Sequence, residues 1–231
     1  MILSSSPLPL SSTFQLLAAN TILISVAVIL GAAVLFLIVR AAVRGTIALR
    51  KRTIAAWQQS AEELGIFFAI PGRFRGYLME GRVAGFQVKV HTYTQSSGQS
   101  STTYTSFRVS FPGSLKLGMK LSRELALVSG IAKFFGAQDI LSGDEVFDNT
   151  FVIKGTEPDD VIGFLTEDIR RQLIELQQAQ KGMGIVVTDI DISVTQGGVV
   201  RDGDAIITLV TSLTHMAFVL AGHLASSEDL A

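Results

Sequence analysis

From Met1 to Val39 the chain carries no Asp, Glu, Lys, Arg or His, and its first charged side chain is Arg40. Inside that stretch Thr21–Val39 reads TILISVAVILGAAVLFLIV, apolar or small throughout, with hydroxyls only at Thr21 and Ser25. A helix over this run rises about 28 Å, close to the roughly 30 Å hydrocarbon core of a bilayer. Leu16–Ala19 extends the span by a turn, with Gln15 and Asn20 making that end less apolar. No pattern elsewhere limits the chain as strongly, and the expectation is a membrane helix over residues 14–39.

The flank supplies a direction. Arg40, Arg44, Arg50, Lys51 and Arg52 follow at once, and no acidic residue occurs until Glu62. The positive-inside bias keeps such a flank in the cytoplasm and sends the uncharged N-terminus across. The expected topology is therefore single-pass in an inner membrane, with an extracytoplasmic tail over 1–13 and the remainder cytoplasmic. The same five cations can contact anionic lipid, at about 1 kcal/mol each near the surface. A cleaved secretory signal fits less well. The chain has no basic n-region, its apolar run exceeds the usual h-region of roughly 7–15 residues, and no A-x-A site precedes the arginines. Ala27 and Gly31 form a small-xxx-small spacing that lets two helices approach, so a homo-oligomer through the membrane helix is one expected partner arrangement.

Removing the apolar segment from the 231 residues leaves roughly 190 of ordinary polarity, enough for one domain with its own core. A formal net charge of −1 argues against a nucleic-acid partner held over a broad surface, which needs clustered excess Lys and Arg. With no cysteine, disulfides, thiolate zinc sites and cysteine nucleophiles are excluded.

Residues 40–64 read as a basic juxtamembrane and helical linker, with Ile54, Trp57, Ala61 and Leu64 at helical spacing and Gly65 as the stop. Trp57, the single tryptophan, is expected to anchor this helix to the sheet. The period then changes to two. Tyr77–Val83 and Phe86–Tyr93 flank Ala84-Gly85, a tight-hairpin signal, with Phe86, Val88 and Val90 on one face and Gln87, Lys89 and His91 on the other. Gln95–Thr102 (QSSGQSST) reads as a mobile loop tip. A third strand carries Phe107, Val109 and Phe111 alternating with Arg108 and Ser110.

Beyond it the pattern predicts a short strand in Leu115–Leu121, a helix over Ser122–Phe135, an acidic turn Ser142–Asp148 and a strand Phe151–Lys154. A helix follows, capped by Thr156 with Pro158 in its first turn and a break near Thr166. Ile185–Val194 reads as one strand, Gly197-Gly198 as a turn, and Ala205–Ala225 as a charge-free last helix. Thr208, Thr211, Ser212, His215 and Gly222 line one side of that helix, which favours a core helix over a second membrane span. The fold class expected is α+β, a cytoplasmic domain over 65–225 with an antiparallel meander and packed helices, and a flexible tail over 226–231.

Chemistry is thinly signalled. Asp144, Glu145 and Asp148 are three carboxylates within five residues, a candidate for a hard cation such as calcium or magnesium, but they lack EF-hand spacing and fit ordinary turn chemistry better. Asp189 and Asp191, two apart on the expected strand, project to one face and are a candidate acid–base pair, but an exposed sheet face is the better fit. His215 and His223 sit eight apart on the last helix, too divergent for the usual i, i+4 metal pair. No G-x-G-x-x-G, P-loop or G-x-S-x-G pattern occurs. No catalytic residue is singled out and no cofactor is expected.

The run Gly143–Gly155, with its pattern G-D-x-x-F-D-x-x-F followed by a capped helix containing Leu165-Thr166, resembles uncharacterised bacterial proteins with a single membrane anchor. The likeness extends over roughly Gly65–Ala225. It implies a bacterial inner-membrane setting and brings no activity, cofactor or catalytic residue. The function expected on these grounds is a membrane-tethered interaction or scaffold module with the bilayer and a protein as partners. The alternatives are a lipid or apolar-ligand domain, with its cavity between the sheet and the last helix, and a metal-dependent enzyme using the acidic turn.

Overall fold

Glycine at position 65 divides the chain into two kinds of pattern, and the backbone follows. The computed structural model describes residues 10–72, 75–123, 140–180 and 183–228, with side chains from Leu30 onward and up to His223 in the last helix. Helix α1 runs Leu10–Leu64. It stops because Gly65 takes φ +67°, a conformation that costs glycine nothing. The Gly65 and Ile66 N–H groups then donate back to the carbonyls of Glu62 and Ala61, a Schellman ending that satisfies two orphan acceptors.

The chain divides into two compact units, Met1–Lys51 and Arg52–Ala231. In the first, α1 exposes its apolar side chains on every side: Leu30, Val34, Leu35, Phe36, Leu37, Ile38 and Val39 are all more than half exposed. Among the described residues, two helices are long and apolar enough to cross a membrane by length and composition, α1 within Leu30–Leu64 and the last helix within Gly203–His223. Burial separates them, since none of the apolar window in α1 is covered and 44% of that in the last helix is.

The second unit is α+β, built on one antiparallel sheet of eight strands. The strands are β1 (Phe67–Ala69), β2 (Leu78–Val83), β3 (Phe86–Ser97), β4 (Ser100–Ser110), β5 (Lys120–Ser122), β6 (Val152–Lys154), β7 (Gly184–Thr188) and β8 (Asp191–Gly197). They lie in the order β1-β2-β3-β4-β8-β7-β5-β6. The helices are α2 (Glu145–Asp148), α3 (Pro158–Phe164), α4 (Glu167–Ala179) and α5 (Gly203–Glu228). Ala84 and Gly85, at φ 48° and 89°, make the expected two-residue turn between β2 and β3, and positive φ at both is the type I′ geometry that matches strand twist.

Alternation puts Val88, Val90, Phe107, Val109, Ile192 and Val194 on one face, all buried, where they join Ile206, Val210, Leu213, Ala217 and Leu220 of α5 in the core. Burying a leucine such as Leu213 completely contributes about 1.5–3 kcal/mol. Thr208, Thr211 and His215 stay exposed, so α5 is amphipathic as the sequence implies. Trp57 is fully buried and anchors as expected. Its Nε1 donates to the Val200 carbonyl at 2.8 Å, and its ring lies 5.0 Å from that of Tyr77.

Several local expectations are corrected. The Ser/Gln-rich stretch is not a loop: β3 and β4 stay paired through Gln95↔Thr102 and Ser97↔Ser100. Only Gly98-Gln99 turns, with φ +59° at Gly98, because ladder pairing asks for backbone groups and not apolar side chains. Left-handed φ at Lys116 and Gly118 delays the strand expected at Leu115 until Lys120. Pro158 takes the first helical position, which makes Glu157 rather than Thr156 the cap of α3. The break at Thr166 is present, and Thr166 itself caps α4. Most of the helix expected over Ser122–Phe135 lies outside the described residues.

Ile185–Val194 is two strands rather than one. Thr188 Oγ1 accepts from the N–H groups of Ile190 and Asp191 and folds the chain back on itself, turn chemistry that apolar alternation conceals.

Candidate functional site

The faces of the sheet differ in chemistry. Opposite the core, register brings polar side chains into rows across the strands. Lys154, Lys120 and Thr188 form one row, Ser193, Arg108 and Lys89 a second, Thr195, Ser106 and His91 a third. A fourth joins Tyr93 to Tyr104, whose rings stack at 5.5 Å; His91 lies 5.8 Å from Tyr93. Gly118-Met119, Gly155-Thr156 and Asp189-Ile190 form the rim at the β5–β7 end, and the open groove measures about 1180 Å³. Ligand sites commonly measure roughly 300–1,000 Å³, so this groove has room for a small molecule or an extended segment.

The two carboxylates in the lining are held by their own neighbours. Asp191, 6% exposed, receives Arg108 Nε at 3.3 Å and the Thr188 hydroxyl at 3.0 Å. Asp189 accepts the N–H groups of Gly118 at 2.8 Å and Met119 at 3.0 Å, which fixes the rim. The expectation of one shared strand is corrected: the chain reverses between the two aspartates, with Asp189 in the turn and Asp191 at the start of β8. Gly118 is required twice over, by φ +59° and because a Cβ there would lie 2.1 Å from the Thr156 hydroxyl.

Two side chains in the groove are shifted from their ordinary pKa values. Burial, then the nearby charges of Lys89 and Arg108, push His91 below its ordinary value of 6.5 and favour the neutral ring. Its Nδ1 is shielded from solvent and has no hydrogen-bond partner among the described residues. Burial, then the Lys154 ammonium, push Lys120 below its usual lysine value. Strand register sets these two lysines directly opposite one another.

The other residues singled out from sequence fall elsewhere. Asp144 caps α2, accepting from Val146 N–H at 3.0 Å and Phe147 N–H at 3.1 Å, and lies 3.5 Å from Arg170 Nε. Asp148 accepts from the Ser142 N–H and hydroxyl and from the Gly143 N–H. Glu145 is exposed in the first turn of α2. These hydrogen bonds spend the two aspartates on holding the turn, and among the described residues no three of His, Asp or Glu converge in a way that holds a metal ion. Arg40, Arg44, Arg50, Lys51 and Arg52 are exposed along α1, as is Gly31; the side chain of Ala27 lies outside the described residues. His215 is exposed on α5, and His223 meets the ring of Phe164 edge-on at 5.8 Å.

Sequence reasoning found the polar alternation of Lys89, His91 and Arg108 but missed the groove. The lining residues Lys120, Lys154 and Thr188 lie on strands of three to five residues that carry little periodicity.

No protein-family model matches the chain, and no curated protein matches it. Among solved structures, the crystal structure of the mycobacterial trehalose monomycolate transport factor A, TtfA, superposes with a TM-score of 0.44 at 10% identity, over 76% of this chain and 94% of that one. A likeness of that order assigns neither a fold family nor an activity.

Proposed function

We propose that this chain is a membrane-tethered binding module, with α1 as the anchor and the polar groove of the sheet as the place where a partner or ligand is held. One observation carries the tether. The α1 side chains from Leu30 to Val39 are apolar and exposed on all sides, and a helix apolar all round needs lipid or a large protein interior to cover it. The basic flank Arg40–Arg52 supports a cytoplasmic sheet domain in a single-pass, inner-membrane arrangement.

The groove supports binding rather than turnover. Its carboxylates are engaged by backbone N–H groups, Arg108 and Thr188, and the Nδ1 of its histidine has no orienting partner among the described residues. A catalytic base needs an orienting partner and a pKa near the working pH.

A lipid or apolar ligand is a second reading, and the place expected for it moves. The space between α5 and the sheet is occupied by fully buried side chains such as Val210 and Leu213, whereas the groove carries Met119, Val186 and Ile190 beside its polar groups.

The tether is tested by alkaline carbonate extraction of membranes holding the full chain, with protease added from either side. The expected result is a pelleted chain whose sheet domain is cut only from the cytoplasmic side. Release of the chain by carbonate refutes the anchor, and cleavage from the outer side refutes the topology.

A further inference from the structure

The hairpin of β3 and β4 outruns its neighbours in the sheet. Pairing of β2 with β3 reaches His91, and pairing of β8 with β4 begins at Tyr104. Past those points Tyr93–Ser97 and Ser100–Thr103 find register partners only within the hairpin among the described residues, as a two-stranded ribbon. Thr94, Gln95 and Ser96 are exposed on it. No Asp, Glu, Lys, Arg or Pro occurs from His91 to Phe107, so the ribbon lacks the charges and prolines that ordinarily keep an open strand edge from pairing.

Hydrogen-bond direction alternates along an antiparallel strand, and two bonds fix its phase here. Thr92 N–H donates outward to the Tyr77 carbonyl at 2.9 Å, and on the other strand the Thr103 carbonyl accepts outward from Gly198 N–H at 2.7 Å. Thr94 and Ser96 therefore aim N–H and C=O away from β4, where neither has a backbone partner among the described residues. Tyr77 closes this edge at Thr92, and the turn at Gly98-Gln99 ends it. What stays open is centred on Gln95, with one outward-bonding residue on each side. We infer that this edge of β3 is completed by the same edge of a second copy of the chain, antiparallel about Gln95. Thr94 then exchanges both backbone bonds with Ser96 of the second copy, and Ser96 with Thr94 of the second copy.

The symmetry of the edge selects this occupant. Reversing the strand about Gln95 returns its outward-bonding groups to the same positions, the self-complementarity that a two-fold interface needs. The side chains brought together are hydroxyls and the Gln95 amides, with no like charges opposed. The pairing is independent of the groove, and it uses other residues than the small-residue spacing at Ala27 and Gly31. Only its short length leans on the proposed tether, since anchoring in one bilayer raises the effective concentration of the copies.

The chain has no cysteine, so one introduced thiol reports on the pairing without background. Gln95 faces Gln95 of the second copy as a non-hydrogen-bonded pair, with Cα atoms about 4.5 Å apart, within the span that a disulfide bridges. Cells expressing the full chain with Gln95→Cys are treated with the thiol oxidant diamide. Thr102→Cys, on the opposite strand, and Gln95→Cys combined with Ser96→Pro are run beside it. Gln95→Cys is expected to form a covalent dimer roughly tenfold faster than Thr102→Cys, because only its thiols are held in register. Ser96→Pro removes an outward N–H and no bond within the hairpin, so it is expected to bring the rate down to that of Thr102→Cys with the apparent Tm unchanged.

Equal or reversed rates at the two cysteine positions overturn the inference, and equal rates are what association through the membrane helix alone gives. A dimer that survives Ser96→Pro at unchanged Tm, or a Gln95→Cys product with the mass of a different protein partner, overturns it as well. If the proline variant lowers Tm, the comparison of the two cysteines decides. If carbonate releases the chain from membranes while the Gln95→Cys dimer persists, the tether is lost and the pairing stands.

Discussion

Replacing Thr105 by valine tests how the two halves of the sheet are joined to α5. Thr105 is fully buried on β4; its hydroxyl donates to the Gly198 carbonyl at 2.7 Å and accepts from Val200 N–H at 3.1 Å. The Val200 carbonyl in turn receives Trp57 Nε1. One hydroxyl therefore fixes the connection between β8 and α5, and a tryptophan reports on it. Valine keeps the shape and removes both bonds. Val200 N–H is buried, so leaving it without a partner costs about 1–3 kcal/mol, while water replaces the bond to the exposed Gly198 carbonyl at a loss of about 0.5–1 kcal/mol.

The sum is about 1.5–4 kcal/mol, or an apparent Tm lower by roughly 3–16 °C for a unit of about 180 residues. The assay is thermal unfolding of the full chain in detergent, followed by the fluorescence of Trp57, with Thr105→Ser as the control. Serine retains the hydroxyl and loses one buried methyl, for about 0.5–1.5 kcal/mol. A valine variant within about 0.5 kcal/mol of wild type, or a serine variant less stable than valine, would refute the bonding scheme.

Other substitutions probe separate parts of the account. Gly85→Ala meets no atom within 4 Å of its new Cβ, so the penalty comes from φ +89° alone, about 1–2 kcal/mol by thermal or urea unfolding; a neutral result removes the type I′ assignment. Asp144→Ala removes the α2 cap and is expected to cost about 0.5–2 kcal/mol, with the metal content by plasma mass spectrometry unchanged; loss of a stoichiometric metal contradicts the structural role given to that turn. For His91 the sign follows from its lowered pKa. The unfolded chain takes up the proton first as pH falls below 6.5, so stability present above that value is lost on the way down to the folded pKa. Relative to His91→Asn, the wild type therefore loses stability below about pH 6.5 in a pH series of Tm values, and parallel profiles refute it.

What sequence reading recovers here is what neighbouring residues decide. Gly65 stops a helix, Ala84-Gly85 reverses a strand, and Phe86, Val88 and Val90 choose a face, because each acts through bonds and periods a few residues long. Phe107 and Val109 are legible for the same reason, and so is the polar side of α5 from Thr208 to His215. The errors have physical sources of equal clarity. Thr188-Asp189-Ile190-Asp191 continues an alternating pattern while its threonine hydroxyl closes a turn. The Ser-rich hairpin arms from Gln95 to Thr102 pair through backbone groups that composition does not advertise. The groove was out of reach because it is assembled by register between distant segments. The pairing of β4 with β8 brings Ser106 to Thr195, and that of β5 with β6 brings Lys120 to Lys154, on strands too short to announce themselves.

The most direct test of the central reading is native mass spectrometry of the full chain released from its own membranes in mild detergent, wild type beside Ser193→Trp and Thr208→Trp. Ser193 lies in the groove and Thr208 on the exposed side of α5. The wild type and the Thr208 variant are expected to carry the same bound mass near one per chain, and the Ser193 variant to lack it. An identical bound mass on all three, or none on the wild type, contradicts the groove as the functional site.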